Sequence, residues 1–364
     1  MPNTASKSPN KILSLLKMVE TQCPTPRLRS LNMERRFHLI LPDLPDEMLN
    51  DWDFSQLESL GTWVPDLVSR AVQESNQLCS LAIPEDLLDR IQDTRLKTTL
   101  PRLEVFDGRK LVTLQALSTF QGIVNLELSV NQRESAPRVK MEQLQALNLN
   151  QTFPLWPIDC PNLVHLRITP PEWLYSHSRG DIIVLPSLKM LEYFSRGRVS
   201  LLRFFDAPNL ETLRIEESLL KKQATYKALA EIWPVTNATR NPLDPRILTF
   251  SHTTVGERSL ARVLCRLTRC REIHLIDTVF SGTFLDGLQP INKKTGMVVP
   301  LPMLRVVTMD CDTQRKGVCV NEGQILDAAS RLRAMRQAAG SPLVQFRFAY
   351  GGLWKRLASN CSLP

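Results

Sequence analysis

The sequence lacks any apolar run that could cross a membrane. No stretch approaches the ~20 consecutive apolar residues that a spanning helix requires. Residues 1–10 are polar, and the short apolar segment at 12–18 is interrupted by Ser14 and Lys17, so no apolar region of a secretory signal is present. We therefore expect an intracellular protein, cytoplasmic or nuclear, that has no membrane partner.

The sequence also lacks the common catalytic motifs. It contains no P-loop, no Gly-x-Gly-x-x-Gly, no Gly-x-Ser-x-Gly elbow and no His-Glu-x-x-His. Histidine is scarce, and the five histidines are far apart in the chain, at positions 38, 165, 177, 252 and 274. We expect a protein that is not an enzyme, with no catalytic residue and no cofactor.

The cysteines do not form a recognisable framework. Eight are present at irregular intervals. Neither the pair Cys265 and Cys270 nor the pair Cys311 and Cys319 has zinc-ligand spacing with histidines beside it. We predict reduced thiols, several of them in the core, and no metal site.

The charge balance does not indicate a nucleic-acid-binding protein. The chain has a formal net charge of +8 and a pI near 9.2. This excess is mild and diffuse, because aspartate and glutamate are spread throughout the sequence. We expect a protein partner and consider nucleic acid unfavoured.

What the sequence does contain is a recurring phrase, Leu-x-x-Leu-x-Leu, represented best by Pro208–Ile215. Its apolar positions recur with the same spacing in other segments, namely Leu28/Leu31/Met33, Leu78/Leu81/Ile83, Ile123/Leu126/Leu128, Leu144/Leu147/Leu149, Leu163/Leu166/Ile168, Leu188/Leu191/Tyr193, Leu304/Val307/Met309 and Leu343/Phe346/Phe348. Weaker copies are Leu57/Leu60, Leu103/Phe106, Cys270/Ile273/Leu275 and Ile247/Phe250. Successive copies are mostly ~19 to 29 residues apart, which is the period of leucine-rich repeats.

Prolines mark the same repeat. A proline stands two residues before the first apolar position in six copies, at residues 26, 101, 161, 186, 208 and 302. Because proline cannot donate to a sheet or continue a helix, it separates each returning segment from the next strand.

The repeat predicts the fold. In Leu-x-Leu, period-two alternation directs both apolar side chains to one face of a short strand. Burying about three such side chains yields roughly 4 to 9 kcal/mol, less than the cost of ordering ~20 residues, so units must stack to be stable. We predict an α/β leucine-rich-repeat solenoid with a curved parallel sheet on its concave side and helices and loops on its convex side.

The expected organisation has three parts. An N-terminal helix or cap covers residues 1–22, about 12 irregular units form the solenoid at 23–350, and a C-terminal tail follows at 351–364. We expect the longest helix at 322–339, with Met335 facing inward and Arg336 outward, and a basic loop at 290–300.

The residues between the inward leucines project from the concave sheet and are candidates for partner contact. The main candidates are His165, Arg167, Glu192, Thr212, Arg214, Glu216, Glu272, His274 and Arg347. Further candidates are Asn125, Glu127, Asn148 and Gln345. The set mixes both signs of charge, which suits a protein surface better than a polyphosphate.

A family resemblance follows from three copies of the phrase. The segments 185–193, 207–215 and 301–309, each with proline before the first apolar residue, resemble the irregular leucine-rich region of mushroom-type fungal F-box proteins. The repeats depart from the regular pattern in lacking a consistent asparagine after the strand. The resemblance implies that the repeats hold a substrate, while an F-box would dock onto a cullin-RING ubiquitin ligase through its adaptor.

The F-box itself is absent or degenerate. Leu44-Pro45-Asp46-Glu47-Met48-Leu49 matches the opening of an F-box, but the helical run that should follow is missing, and residues 57–60 already match another repeat. Two hypotheses remain open. One is an F-box-like substrate receptor of a ubiquitin ligase, with the cullin adaptor as a second partner. The other is a stand-alone leucine-rich-repeat binding or inhibitor protein.

Overall fold

The computed structural model describes residues 28–32, 52–92, 94–108, 116–130, 139–150, 158–169, 182–195, 201–217, 243–251, 254–255, 264, 267–277, 279–280, 282–293, 296–311, 322–350 and 353–356. The chain divides into two compact units, Met1–Cys160 and Pro161–Pro364. The expected N-terminal helix or cap at 1–22 and the Leu44–Leu49 motif lie outside the described residues, and the expected domain boundaries stay predictions.

The first unit contains a parallel sheet of six strands. The strands of this unit are β1 (Ser30–Asn32), β2 (Ser59–Gly61), β3 (Ser80–Pro84), β4 (Arg102–Gly108), β5 (Asn125–Val130), β6 (Val139–Lys140), β7 (Ala146–Leu149) and β8 (Ile158–Asp159). The sheet has the order β1-β2-β3-β4-β5-β7. Strands β6 and β8 form a separate parallel pair. The one shift in register within this sheet lies between Phe106 and Gly108.

The second unit contains a sheet of eight strands. Its strands are β9 (His165–Ile168), β10 (Ile183–Val184), β11 (Met190–Ser195), β12 (Phe205–Asp206), β13 (Thr212–Glu217), β14 (Ile247–Ser251), β15 (Thr254–Val255), β16 (Glu272–Ile276), β17 (Val279–Phe280), β18 (Ile291–Lys293), β19 (Gly296–Val298), β20 (Val306–Cys311), β21 (Gln345–Tyr350) and β22 (Leu353–Arg356). The sheet has the order β9-β11-β13-β14-β16-β20-β21-β22. All its pairs are parallel except β21 with β22. The chain therefore has the expected α/β class with a parallel sheet in each unit.

The repeated apolar residues form the core of both units. Leu210, Leu213 and Ile215 are buried, and the matching residues of neighbouring copies are buried in register with them. The intervening residues are more exposed in most strands, although Glu192, Thr249, Ser251 and Thr308 are buried as well. This alternation confirms the inward direction that the Leu-x-Leu pattern predicts.

The proline that precedes a copy occupies a β-turn. In 207–210 the backbone N–H of Leu210 donates to the carbonyl oxygen of Ala207 at 3.2 Å, and equivalent bonds close the turns at 185–188 and 301–304 at 3.2 and 3.0 Å. Proline is thus the second residue of each turn, where its fixed φ is favourable. The turn returns the chain directly into the next strand.

Three copies of the phrase differ from expectation. The inward residues of β4 are Leu103 and Val105, preceded by Leu100, whereas Phe106, expected as the inward residue after Leu103, pairs with Ser129 on the other face of the strand. Consequently Pro101 follows the first inward residue of its copy instead of preceding it. Apolar residues at adjacent positions made the register ambiguous, and the pairing with β3 resolves it.

The other two corrections concern β14 and β21. In β14 the inward pair is Leu248 and Phe250, whereas Ile247 is partly exposed. Before β21, Leu343 is 53% exposed and Val344 is 1% exposed, so Val344 takes the first inward position. Phe346 and Phe348 pair in register with the inward residues of β20, as expected.

Helices connect some of the strands. The α-helices with described bounds are α1 (Pro65–Glu74), α2 (Asp89–Gln92), α3 (Leu96–Thr99), α4 (Gly282–Asp286) and α5 (Glu322–Ala338). Short 3-10 helices cover Glu85–Leu87 and Leu201–Phe204. Several connections use short strand pairs instead of helices: β6 with β8, β10 with β12, and β15 with β17.

Two connecting segments differ from expectation. The expected loop at 290–300 contains an antiparallel hairpin formed by β18 and β19. The expected tail at 351–364 contains β22, which pairs antiparallel with β21. No helix within the described part of the chain has the length and apolar character needed to cross a membrane.

The inward face of α5 includes an arginine. Arg336 is 0% exposed, whereas Met335, expected inward, is 40% exposed. With ~3.6 residues per turn, Arg336 lies one turn beyond the buried Leu332 and so belongs to the inward stripe. The expected orientation of these two residues was wrong because arginine was assigned to the solvent side by residue type.

The buried guanidinium of Arg336 binds backbone carbonyls. Its Nη1 donates to the carbonyl oxygen of Pro300 at 2.8 Å, and its Nη2 donates to that of Leu301 at 2.9 Å. Nη2 is also 3.5 Å from the carbonyl oxygen of Pro302. Leu301 has a left-handed backbone with φ of 50°, which is unfavourable for leucine. Arg336 therefore ties the helix to the turn that starts β20.

Glycine ends α5. Gly340 has φ of 66°, the N–H of Ser341 donates to the carbonyl of Arg336 at 2.9 Å, and the N–H of Gly340 donates to that of Gln337 at 3.0 Å. This is the Schellman arrangement. A second glycine, Gly122, is required by space, because a Cβ there would collide with the backbone carbonyl of Thr98.

Candidate functional site

The side chains that alternate with the buried residues of the sheet in the second unit form what we call the open face. Its first row comprises His165, Met190, Thr212, Ile247, Glu272, Val306 and Gln345. Its second row comprises Arg167, Glu192, Arg214, Thr249, His274, Thr308 and Arg347. Its third row includes Phe194, Glu216, Ser251 and Ile276. Residues of one row are neighbours on adjacent strands, ~4.8 Å apart in the pairing direction.

The nine predicted contact residues all lie on the open face. His165, Thr212 and Glu272 are in the first row, Glu216 is in the third, and the other five are in the second. Their role in binding a partner stays a prediction.

A histidine–glutamate pair lies at the start of the open face. His165 Nε2 is 2.8 Å from Glu192 Oε1, and the two residues are on the neighbouring strands β9 and β11. The hydrogen bond from His165 holds the pKa of the Glu192 carboxyl below its ordinary value, and the charges of Arg167 and Arg214 act in the same direction against the effect of burial. Glu192 is therefore a buried, ionised acceptor between two arginines.

Both arginines beside Glu192 are themselves held in position. The guanidinium carbon of Arg167 lies 4.4 Å from the centre of the Phe194 ring, within the range of a cation–π interaction. Arg214 Nη2 is 3.2 Å from Glu216 Oε2 on the same strand. We call His165, Arg167, Glu192, Arg214 and Glu216 the charged cluster. Its long side chains are thus oriented before any partner binds.

A second group of polar residues lies further along the same face. His274 Nε2 is 3.3 Å from Glu272 Oε2. The strand of His274 is two strands beyond that of Arg214, about 10 Å away, and Arg347 is about 10 Å further on. The sheet therefore brings the charged cluster together but leaves His274 and Arg347 apart from it.

Sequence reasoning missed Phe194, Thr249 and Thr308 on the open face. Thr249 belongs to the weak copy Ile247/Phe250, whose inward residues are Leu248 and Phe250, and no contact residue was predicted in that copy. Thr249 and Thr308 are buried, since longer side chains flank them in the second row. Phe194 could have been found from its position after the inward Tyr193, which directs it to the opposite face of the strand.

The sheet of the first unit carries a less charged set. Glu127 and Asn148 are neighbours there, and Asn150 Nδ2 donates to Glu127 Oε1 at 2.9 Å. Asn125 lies beside Ala146 in the adjacent row. These three predicted contact residues are thus on one face of their own unit.

The described residues were also considered as metal ligands and reactive thiols. No group of three or more histidine, cysteine, aspartate or glutamate residues that could hold a metal occurs within the described ranges. Cys160 and Cys270 are buried, and burial raises the pKa of each thiol to about 12, so neither is a reactive thiolate at neutral pH.

Comparison with known proteins adds no identification. No protein-family model matches the chain, and a search of curated proteins finds no sequence that matches it significantly. The fold defines an α/β protein with a parallel sheet in each of two units.

Proposed function

We propose that this protein is a non-catalytic recognition scaffold of the leucine-rich-repeat class, and that it binds a protein partner on the open face. The observation that supports this most directly is the charged cluster, in which side chains of both signs are held in fixed positions. Preorganised side chains lose less conformational entropy on binding. Mixed charge favours a protein surface, since Glu192 and Glu216 would repel a polyphosphate.

The leucine-rich-repeat assignment is supported by two features. The inward residues recur in the Leu-x-x-Leu-x-Leu spacing, and the copies pair in parallel with their neighbours in the same unit. Each strand is followed by a connection that returns the chain to the beginning of the next strand. This is the arrangement expected of stacked repeat units.

The test is affinity purification of the tagged protein from its native cell, followed by mass spectrometry. The binding variant is His165→Ala/Arg167→Ala/Arg214→Ala. The control variant is Arg29→Ala/Arg90→Ala/Lys97→Ala, which changes two exposed residues and the partly exposed Lys97 of the first unit. We expect a partner that is retained by the wild type and the control but lost from the binding variant. Equal retention by all three proteins would refute the assignment of the open face.

Within this class, we propose an F-box-like substrate receptor of a cullin-RING ubiquitin ligase as the more specific function. It is supported by the resemblance of the repeats and by the Leu44-Pro45-Asp46-Glu47 motif. Strand β2 pairs with β1 and β3, so strands on both sides of this motif in the sequence belong to the sheet.

The ligase link has its own test. We expect the cullin adaptor to co-purify with the wild type and with the binding variant His165→Ala/Arg167→Ala/Arg214→Ala, but not with the variant Leu44→Ala/Pro45→Ala. A single partner recovered without the adaptor would instead favour a stand-alone binding or inhibitor protein.

A further inference from the structure

Three arginines stand at the same repeat position in the second unit. Arg246, Arg271 and Arg305 each immediately precede a strand, and they precede β14, β16 and β20, which are neighbours in the sheet. The N–H of Arg271 donates to the carbonyl oxygen of Arg246 at 2.7 Å, and the N–H of Arg305 donates to that of Arg271 at 2.8 Å. All three residues are exposed. We call this row the arginine ridge.

The ridge concentrates charge of one sign. Adjacent strands are ~4.8 Å apart, so three guanidinium groups stand on backbone positions that span only about 10 Å. Like charges on neighbouring strands repel each other. At the same repeat position in the two preceding strands, Lys189 and Glu211 are instead paired at 3.6 Å. Residues at this repeat position therefore form a neutralised ion pair before β11 and β13, and a group of three cations before β14, β16 and β20.

The carboxylates close to the ridge in sequence are engaged elsewhere. Asp244 accepts hydrogen bonds from Thr268 Oγ1 at 2.7 Å and from the backbone N–H of Arg269 at 3.1 Å. Glu272 contacts His274 on the open face. Within the part of the chain that the structure describes, no carboxylate lies within ion-pair distance of the three ridge arginines.

Exposed apolar side chains adjoin the end of the ridge. Met303, two residues before Arg305, is 36% exposed. Leu343 is 53% exposed and precedes Gln345, whose N–H donates to the carbonyl oxygen of Arg305 at 2.7 Å. A ligand that covers the ridge therefore meets cations along its length and apolar groups at one end.

We propose that the arginine ridge binds an extended acidic segment of the protein partner, with carboxylate side chains on the arginines and an apolar side chain near Met303 and Leu343. This inference rests on the proposed function, because the ligand is a protein. Arginine is suited to the role because its planar guanidinium can bind a carboxylate through two hydrogen bonds. A nucleic acid is disfavoured because the short ridge reaches only a few phosphates, and affinity for nucleic acid depends on neutralising many.

The experiment uses the full-length protein and a fluorescein-labelled peptide made of Glu-Glu-Leu-Gly repeats. The ridge variant is Arg246→Gln/Arg271→Gln/Arg305→Gln. The matched control, Arg29→Gln/Arg90→Gln/Lys97→Gln, removes the same charge from two exposed residues and one partly exposed residue of the first unit. Circular dichroism checks that each variant folds, and a further variant with lysine at the three ridge positions keeps the charge.

We expect fluorescence anisotropy to show that the wild type and the control bind the peptide, and that the ridge variant binds it about tenfold more weakly, the combined effect of three exposed charge pairs. The lysine variant should retain intermediate affinity. A peptide with glutamine in place of glutamate should not bind. Binding should also weaken as the salt concentration rises above about 0.1 M.

Three results would overturn the inference. They are equal peptide affinity in the ridge and control variants, no binding by the wild type, and tighter ridge-dependent binding of a single-stranded oligonucleotide of equal charge. The open-face variant His165→Ala/Arg167→Ala/Arg214→Ala separates this failure from failure of the proposed function. If that variant loses the cellular partner and the peptide does not bind the wild-type protein, only the ridge inference fails. If it keeps every cellular partner while the peptide binds the ridge, the open-face proposal fails.

Discussion

Replacement of Arg336 by alanine should destabilise the second unit more than any change to an exposed arginine of the same helix. Two of its guanidinium nitrogens donate at 2.8 and 2.9 Å to the carbonyl oxygens of Pro300 and Leu301, in an environment where its side chain is fully buried. Alanine removes both donors and also leaves a cavity where the aliphatic stem was packed.

The magnitude follows from these contacts. A hydrogen bond that involves a charged group contributes about 1.5 to 3 kcal/mol, and loss of packed methylenes adds roughly 1 kcal/mol or more. Part of this loss of stability is offset when the buried cation is removed, because burial disfavours the charged guanidinium and lowers the pKa of Arg336. We therefore expect Arg336→Ala to lower the free energy of unfolding by about 3 to 4 kcal/mol. Arg336→Met keeps the stem, so we expect a loss of about 2 kcal/mol.

Urea denaturation, monitored by circular dichroism, measures the loss in free energy of unfolding. Hydrogen exchange shows which part of the chain is destabilised. The N–H of Leu304 donates to the carbonyl oxygen of Leu301 at 3.0 Å, so its exchange should accelerate in both Arg336 variants. Arg331→Ala is the control, because the Arg331 side chain is 59% exposed and pairs with Asp286 at 3.6 Å. Equal effects of Arg331→Ala and Arg336→Ala, or unchanged Leu304 exchange, would refute the reasoning.

Three further predictions concern pH, close packing and register. The folded pKa of Glu192 is below its ordinary value, so its contribution to stability is complete above pH 4.5 and is lost as the pH falls through the folded pKa. When the pH is lowered from neutral to acid, the midpoint of urea unfolding should therefore fall less for Glu192→Gln than for the wild type. An equal fall in the two proteins would contradict this. Gly122→Ala should destabilise by about 2 kcal/mol, because the new Cβ meets backbone, whereas Gly61→Ala meets only an exposed side chain and should cost less than about 1 kcal/mol; thermal unfolding compares the two, and equal effects would count against the packing argument. Val344→Ala should cost about 1 to 3 kcal/mol and Leu343→Ala less than about 0.5 kcal/mol, as measured by urea denaturation, and the reverse order would support Leu343 as the inward residue, as expected from the sequence.

The sequence was sufficient to predict which residues form the core where a copy of the repeat is unambiguous. Leu210, Leu213 and Ile215 have polar residues between them, so only one register buries all three. In β14 the order Ile247-Leu248-Thr249-Phe250 allows two registers, and only pairing with the neighbouring strand selects the one that buries Leu248. Local pattern determines a strand, but its neighbour determines its register.

In the candidate site, too, the local sequence pattern predicts some features, while others depend on how neighbouring strands pair. Alternation alone placed His165 and Glu192 on the open face, since each stands directly next to an inward residue, Leu166 and Leu191 respectively. Their 2.8 Å contact depends on the alignment of β9 with β11, which no single copy of the repeat encodes. Arg336 could not be found from residue type, because its burial depends on carbonyl oxygens 34 to 36 residues earlier in the chain.

The reversed direction of β22 has a consequence for assembly. Each parallel strand of the second unit offers its neighbour the same pattern of donors and acceptors, so nothing in the pattern itself limits the number of strands. An exposed edge of this kind can recruit a strand from another molecule. Because β22 pairs antiparallel with β21, the edge beyond it no longer presents the pattern that the repeat would continue. The stacking of parallel units therefore ends at β21 among the described strands, and a further parallel repeat would meet a strand of the opposite direction.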